Sequence, residues 1–187
     1  MPTKNSRTSK RAARKAATMA KVLVLVRHGK AQKRSADVPD ELRALTEAGR
    51  KALAAHLPQA LALLDVADGP DVAVLASPAV RTRQTADEVA KALGAGAPVD
   101  CESLFAQDAE SFMQDVANAS ADIVVAVGHN PFAEELTERL CGARIGFSTG
   151  AMAAIELSED TDDGTARLLW FVQGPRPRPS LKATALR

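Results

Sequence analysis

Cysteine is scarce in this chain: Cys101 and Cys141 are the only two, and neither belongs to a CxxC pair. That spacing excludes the common zinc frameworks and the disulfide-rich scaffolds, and makes a reducing cytoplasm the default compartment. Long hydrophobic runs are also missing. The longest, such as Val22–Val26 and Ile123–Val127, fall far short of the ~20 apolar residues that span a bilayer, so no membrane partner is expected. The first twenty residues lack the apolar stretch of a secretory signal. P-loop, HExxH and GxSxG segments are absent as well, which leaves NTPase, zincin and α/β-hydrolase chemistry without support.

What is present describes one soluble domain. A length of 187 residues with 46% hydrophobic and 25% charged side chains fits a single well-filled core. The net charge of +1 conceals a segregation of sign. Residues 1–21 hold seven Lys/Arg and no acid, residues 175–187 hold four more, and the span between them carries thirteen basic against twenty-three acidic residues. The expected organisation is therefore a basic arm at 1–21, a folded domain at 22–174 and a Pro/Arg-rich tail at 175–187. The arm reads most simply as a solvated segment. Its Arg/Ser/Thr/Ala composition also resembles a transit peptide, or an arm through which nucleic acid or an anionic surface is met.

Within the domain, short β-branched runs alternate with Ala/Leu-rich stretches, the pattern of an α/β sheet covered by helices on both faces. Strands are expected at Val22–Val26, Val72–Ala76, Pro98–Cys101, Ile123–Val127, Ala151–Leu157 and Ala166–Val172. The last two flank an acidic turn, Ser158–Gly164. Helices are expected from Thr46, with Leu53, Leu57, Leu61 and Leu64 as the apolar face and a bend or break at Pro58 after Leu57, and over Ala79–Leu93, Ala109–Ala117 and Pro131–Leu140. The sixteen residues Lys30–Leu45 are too many for an ordinary connection and point to a functional loop.

Ligands in open α/β sheets bind beyond the carboxyl ends of the strands, so the residues that follow each strand carry the most information. Val22–Val26 runs into Arg27-His28-Gly29, a cation, an imidazole and a glycine that permits close backbone approach to a ligand. After Val72–Ala76 comes Ser77-Pro78, which fits a helix cap and first turn, with Arg81 able to lean back over the helix end. After Ile123–Val127 comes Gly128-His129-Asn130-Pro131, with Asn130 as the cap. Two arginines and two histidines at neighbouring strand ends make a cationic pocket suited to a phosphoryl group, because guanidinium forks match phosphate oxygens and a neutral imidazole is nucleophilic. His56 lacks this context and reads as structural or solvated.

These segments, together with Gln84-Thr85, closely resemble the histidine phosphatase (phosphoglycerate mutase-like) superfamily over about residues 22–172. Arg27–Ala31, Leu45–Gly49 and Ser148–Ala151 resemble its SixA-like branch of phosphohistidine phosphatases. The resemblance implies a three-layer α/β/α sandwich with a mostly parallel central sheet. It implies that His28 becomes phosphorylated, that Arg27, Gly29, Arg81 and His129 bind the phosphoryl group, and that neither a metal nor an organic cofactor takes part. Ala31, Gln32, Lys33 and Arg34 replace the residues usual in the mutases, which disfavours mutase activity. Glu102 is the positional candidate for a general acid, with Asp37, Asp40 and Glu41 as alternatives. For each of these a solvated carboxylate is the plainer reading. The expected activity is a metal-independent phosphatase acting on a phosphohistidine protein. The alternatives are a phosphatase of a small phosphorylated metabolite, or an idle phosphate- or phosphoprotein-binding module whose arm contacts nucleic acid.

Overall fold

The computed structural model describes residues 21–64, 69, 71–157 and 166–175. Residues 1–20 of the basic arm, the acidic turn after Leu157 and the tail beyond Pro175 lie outside the described residues, whereas Lys21 belongs to the first strand. In chain order the elements are β1 (Lys21–Arg27), α1 (Glu47–Leu61), β2 (Val72–Ala76), α2 (Val80–Leu93), β3 (Val99–Asp100), α3 (Glu102–Ala106), α4 (Ala109–Asn118), β4 (Ile123–Gly128), α5 (Phe132–Cys141), β5 (Met152–Leu157) and β6 (Arg167–Val172). A 3-10 turn at Asp40–Leu42 interrupts the long loop after β1.

The six strands form one sheet in the order β3-β2-β4-β1-β5-β6. Strands β3, β2, β4 and β1 pair in parallel, whereas β5 runs antiparallel to both β1 and β6. The sheet is thus mostly parallel. Strand β4 is buried throughout, as its unbroken apolar sequence requires of a central parallel strand.

Alternation along the strands feeds two separate cores. Val24, Val26, Val125 and Val127 join Leu53 and Leu57 of α1 and Ala86 and Val89 of α2 on one face. Their neighbours Leu23, Leu25, Val124 and Ala126 turn to the other face and meet Leu104, Phe112, Phe132 and Leu136 of α3, α4 and α5. Each fully buried Leu or Phe contributes about 1.5–3 kcal/mol from removal of apolar surface. The result is the three-layer α/β/α sandwich.

Pro58 does not break α1. It lies in the last turn, where both it and Ala54, whose carbonyl loses its helical partner, are exposed, so water can satisfy the freed acceptor. Thr46, where the helix is expected to start, caps it by accepting from the Gly49 amide at 3.0 Å. Helices α2 and α5 begin later than the cap pattern predicts. Ala79, not Ser77, is the residue before α2, and Pro131, not Asn130, is the residue before α5. Ser77 Oγ instead pairs with His129 Nε2, and the Asn130 amide donates to Glu134 within α5 and to Phe147 O. The single-turn helix α3 was not anticipated, since five residues are too few to show a helical period.

Candidate active site

Strand order sets the geometry. Because β4 lies between β2 and β1, the residues after it stand between those that follow its neighbours. His28 and His129 meet edge to face with ring centroids 5.3 Å apart, and His129 Nε2 lies 2.9 Å from Ser77 Oγ. A cleft of about 570 Å³ opens over them, lined by Arg27, His28, Arg81, His129, Asn130 and Thr149 on the sheet side, Lys30, Ala31, Arg34, Asp40 and Arg43 from the long loop, and Phe105 and Gln107 opposite.

His28 is fixed through its backbone and its ring. Its amide donates to Gly128 O at 3.0 Å, and its carbonyl accepts from the Gly150 amide at 3.1 Å, where Gly150 has a φ of 80° that suits glycine. Its Nδ1 lies 2.8 Å from Gly29 O. A carbonyl can only accept, so Nδ1 carries the proton and Nε2 holds a free lone pair. Burial, reinforced by the charges near His129, Arg81 and Arg27, lowers the pKa to about 3 despite the Gly29 bond. The ring is therefore neutral at pH 7, as a nitrogen nucleophile must be.

Gly29 has a packing reason for lacking a side chain. A Cβ there would stand 2.3 Å from Leu53 Cδ1 and 3.3 Å from Leu45 Cδ2. Its amide donates to Thr85 Oγ1, and the Thr85 hydroxyl in turn donates to Arg81 O at 2.7 Å. Gln84 accepts from the Leu45 amide at 2.7 Å and ties the long loop to α2. Gly29 does not line the cleft; it holds the acceptor for His28.

Arg81 and His129 are both buried, at 6% and 9% exposure, although each is polar. Arg81 Nη2 faces His129 Nδ1 at 3.3 Å, which makes Nδ1 the acceptor and places the other ring proton on Nε2, toward Ser77. Burial first, and then the Arg81 charge, lowers the His129 pKa to about 4. Among the described residues, the Nε atoms of Arg27 and Arg81 are buried without acceptors. Arg27 itself donates to Phe147 O, a carbonyl it shares with Asn130 Nδ2 at 3.1 Å. Asn130 also donates to Glu134, which accepts from the Phe147 amide at 2.9 Å and so braces this wall.

The long loop closes on itself. Ala31 bridges Leu45, Gln32 N donates to Ala44 O, and Thr46 N donates to Lys30 O. Its turn carries Asp40 into the cleft, where Arg34, Arg43 and Arg81 all contact the carboxylate. Burial alone would raise the Asp40 pKa, but the Arg43 hydrogen bond and the charges of Arg81 and Arg43 hold it below the usual carboxylate range.

The structure thus brings Arg27, His28, Arg81 and His129 together. It does not bring Glu102 with them: Glu102 is exposed at the start of α3, and its charge acts on Arg83 instead. Asp37 and Glu41 are likewise not in the lining, whereas Asp40 is. Sequence reasoning missed Ser77 as a histidine partner because the Ser-Pro pair imitates a helix cap.

Comparison with known proteins agrees with this geometry. Residues 23–106 match the family model of the histidine phosphatase superfamily (branch 1). The match and the fold support a phosphatase of the histidine phosphatase superfamily. A protein from Nakamurella multipartitia assigned as phosphohistidine phosphatase SixA is 28% identical, with a TM-score of 0.65 over 83% of this chain and 96% of that one. One from Agrobacterium tumefaciens with the same assignment is 26% identical, with a TM-score of 0.66 over 82% and 97%. A protein histidine phosphatase SixA complexed with tungstate shares the fold, at 23% identity, a TM-score of 0.64, and coverage of 81% and 96%. No curated protein sequence matches significantly. Among the described residues, no helix is long and apolar enough to cross a membrane.

Proposed function

We propose that this phosphatase removes phosphoryl groups from phosphohistidine in a protein. The observation that carries the reading is that, among the described residues, the cleft lining offers no carboxyl group able to act as a proton donor. The one carboxylate there, Asp40, is held ionised by three arginines and cannot serve as a general acid. An alkoxide leaving group needs such an acid. An imidazole does not need it to the same degree, because the transfer exchanges one imidazole for another and solvent can protonate the departing nitrogen. The two SixA relatives at 26% and 28% identity support the same substrate class.

In the proposed reaction the lone pair on His28 Nε2 attacks phosphorus in line, and the substrate P–N bond breaks with its electron pair going to the departing ring nitrogen, which takes a proton from water. Water then attacks the phosphoryl group on His28. That P–N bond breaks, orthophosphate leaves and neutral His28 returns. Arg27, Arg81 and His129 hold the phosphoryl oxygens, and His129 gains a proton on Nδ1 as the dianion raises its pKa. Positioning and charge supply most of what phosphoryl transfer requires.

The test joins a labelling experiment to a substrate panel. The parent should incorporate acid-labile 32P and turn over a phosphohistidine protein faster than sugar phosphates or phosphoglycerates, and His28→Ala should lose both activities while keeping its fold. Preference for a small monoester would overturn the substrate assignment, and labelling that survives in His28→Ala would overturn the nucleophile.

A further inference from the structure

The end of the Arg81 guanidinium is already occupied by an anion of the chain itself. Its Nη1 donates to Asp40 O at 2.5 Å and its Nη2 to Asp40 Oδ2 at 2.9 Å. The other oxygen of the same carboxylate accepts from Arg34 Nε at 2.9 Å and Arg43 Nε at 3.0 Å. Among the described residues, Asp40 is the only acid lining a cleft that carries Arg27, Lys30, Arg34, Arg43 and Arg81. It reaches this place on a 3-10 turn in a loop whose two ends are pinned together, so its position is set by the fold and not by a free side chain alone.

From this we infer that Asp40 is an internal counter-anion that competes with phosphoryl oxygens for Arg81, and thereby sets how tightly the cleft retains an oxyanion. The inference rests on the reading of the cleft as a phosphoryl site. Asp40 is a positioning residue in this scheme: it holds both terminal nitrogens of the Arg81 fork, the atoms a phosphoryl oxygen would otherwise take. Its charge also opposes that of the incoming dianion a few ångströms away, at partial exposure where Coulomb interactions are moderate. Without that opposition the five cations would hold the product phosphate longer, and turnover would be limited by its release.

The variant Asp40→Asn keeps an acceptor for Arg81 and Arg43 and removes only the charge. With the full chain and orthovanadate as probe, its inhibition constant should fall about three- to tenfold, product inhibition by inorganic phosphate should strengthen in the same proportion, and kcat should fall with it. A purely structural role for Asp40 would weaken oxyanion binding instead. Asp40→Ala provides a second variant, should Asn perturb the turn, and should also tighten vanadate inhibition. Unchanged or weaker vanadate inhibition in a folded variant, as judged by its thermal transition, overturns this inference alone. Failure of the parent to be inhibited by vanadate overturns the reading of the cleft and this inference with it.

Discussion

Ser77 Oγ and His129 Nε2 lie 2.9 Å apart at the ends of adjacent strands, and Ser77 is fully buried. This contact orients the imidazole so that its opposite nitrogen faces Arg81 and the cleft. Ser77→Ala would leave a buried ring N–H without an acceptor and free the ring to turn. A loss of about 1–3 kcal/mol in stability is expected, together with a kcat reduced about three- to tenfold and little change in KM, as measured by denaturant unfolding and steady-state kinetics.

The two active-site histidines set the response to acid. Their folded pKa values, about 3 for His28 and about 4 for His129, lie below the ordinary 6.5. Between those values the unfolded chain binds more protons than the folded one, so stability falls as pH falls from 6.5 toward 3. The urea midpoint should decline over this range in the parent and decline less in His28→Asn and His129→Asn. On the kinetic side, protonation of His28 should depress kcat/KM only well below pH 6.5.

Arg81→Lys keeps the charge but removes the planar fork, so both vanadate affinity and turnover should weaken by about 1–3 kcal/mol. His129→Ala should harm kcat more than vanadate affinity, because His129 becomes cationic only when phosphoryl charge is beside it. Equal losses in both quantities for His129→Ala would mean uniform binding of ground and transition states.

Gly29→Ala tests the packing behind the nucleophile. The added methyl would press on Leu53 Cδ1 at 2.3 Å, and the backbone that presents the Gly29 carbonyl to His28 would have to shift. Overpacking of this kind costs about 1–3 kcal/mol, and activity should fall alongside stability. Normal activity in a fully stable variant would show that Leu53 moves freely.

Lys21 offers a control far from the chemistry. Its ammonium group donates to Val116 O at 2.8 Å, Ala117 O at 3.2 Å and Ala119 O at 2.7 Å, closing the carbonyl end of α4. Lys21→Met should lower unfolding free energy by about 1–2 kcal/mol and leave kcat unaltered.

The sequence by itself determined the alternation of elements and the residues at the strand ends. Apolar runs such as Ile123–Val127 can be satisfied only in the middle of a covered sheet; Arg27, His28 and His129 follow such runs closely, and Arg81 lies in the first turn of the helix after β2. Local chemistry also fixed single points, such as the Thr46 cap and the left-handed Gly94 and Gly142 that end α2 and α5. Only the tertiary structure decided partnership. Strand order placed His129 between Ser77 and His28, residues forty-nine positions apart, and so turned an apparent helix cap into a histidine's acceptor. The same holds for the acids. Glu102, Asp37, Asp40 and Glu41 are equivalent carboxylates along the chain, and loop closure alone carried Asp40 to Arg81. Hydrophobic period is a local property readable from neighbours, whereas a hydrogen bond between distant side chains depends on the path of the backbone between them.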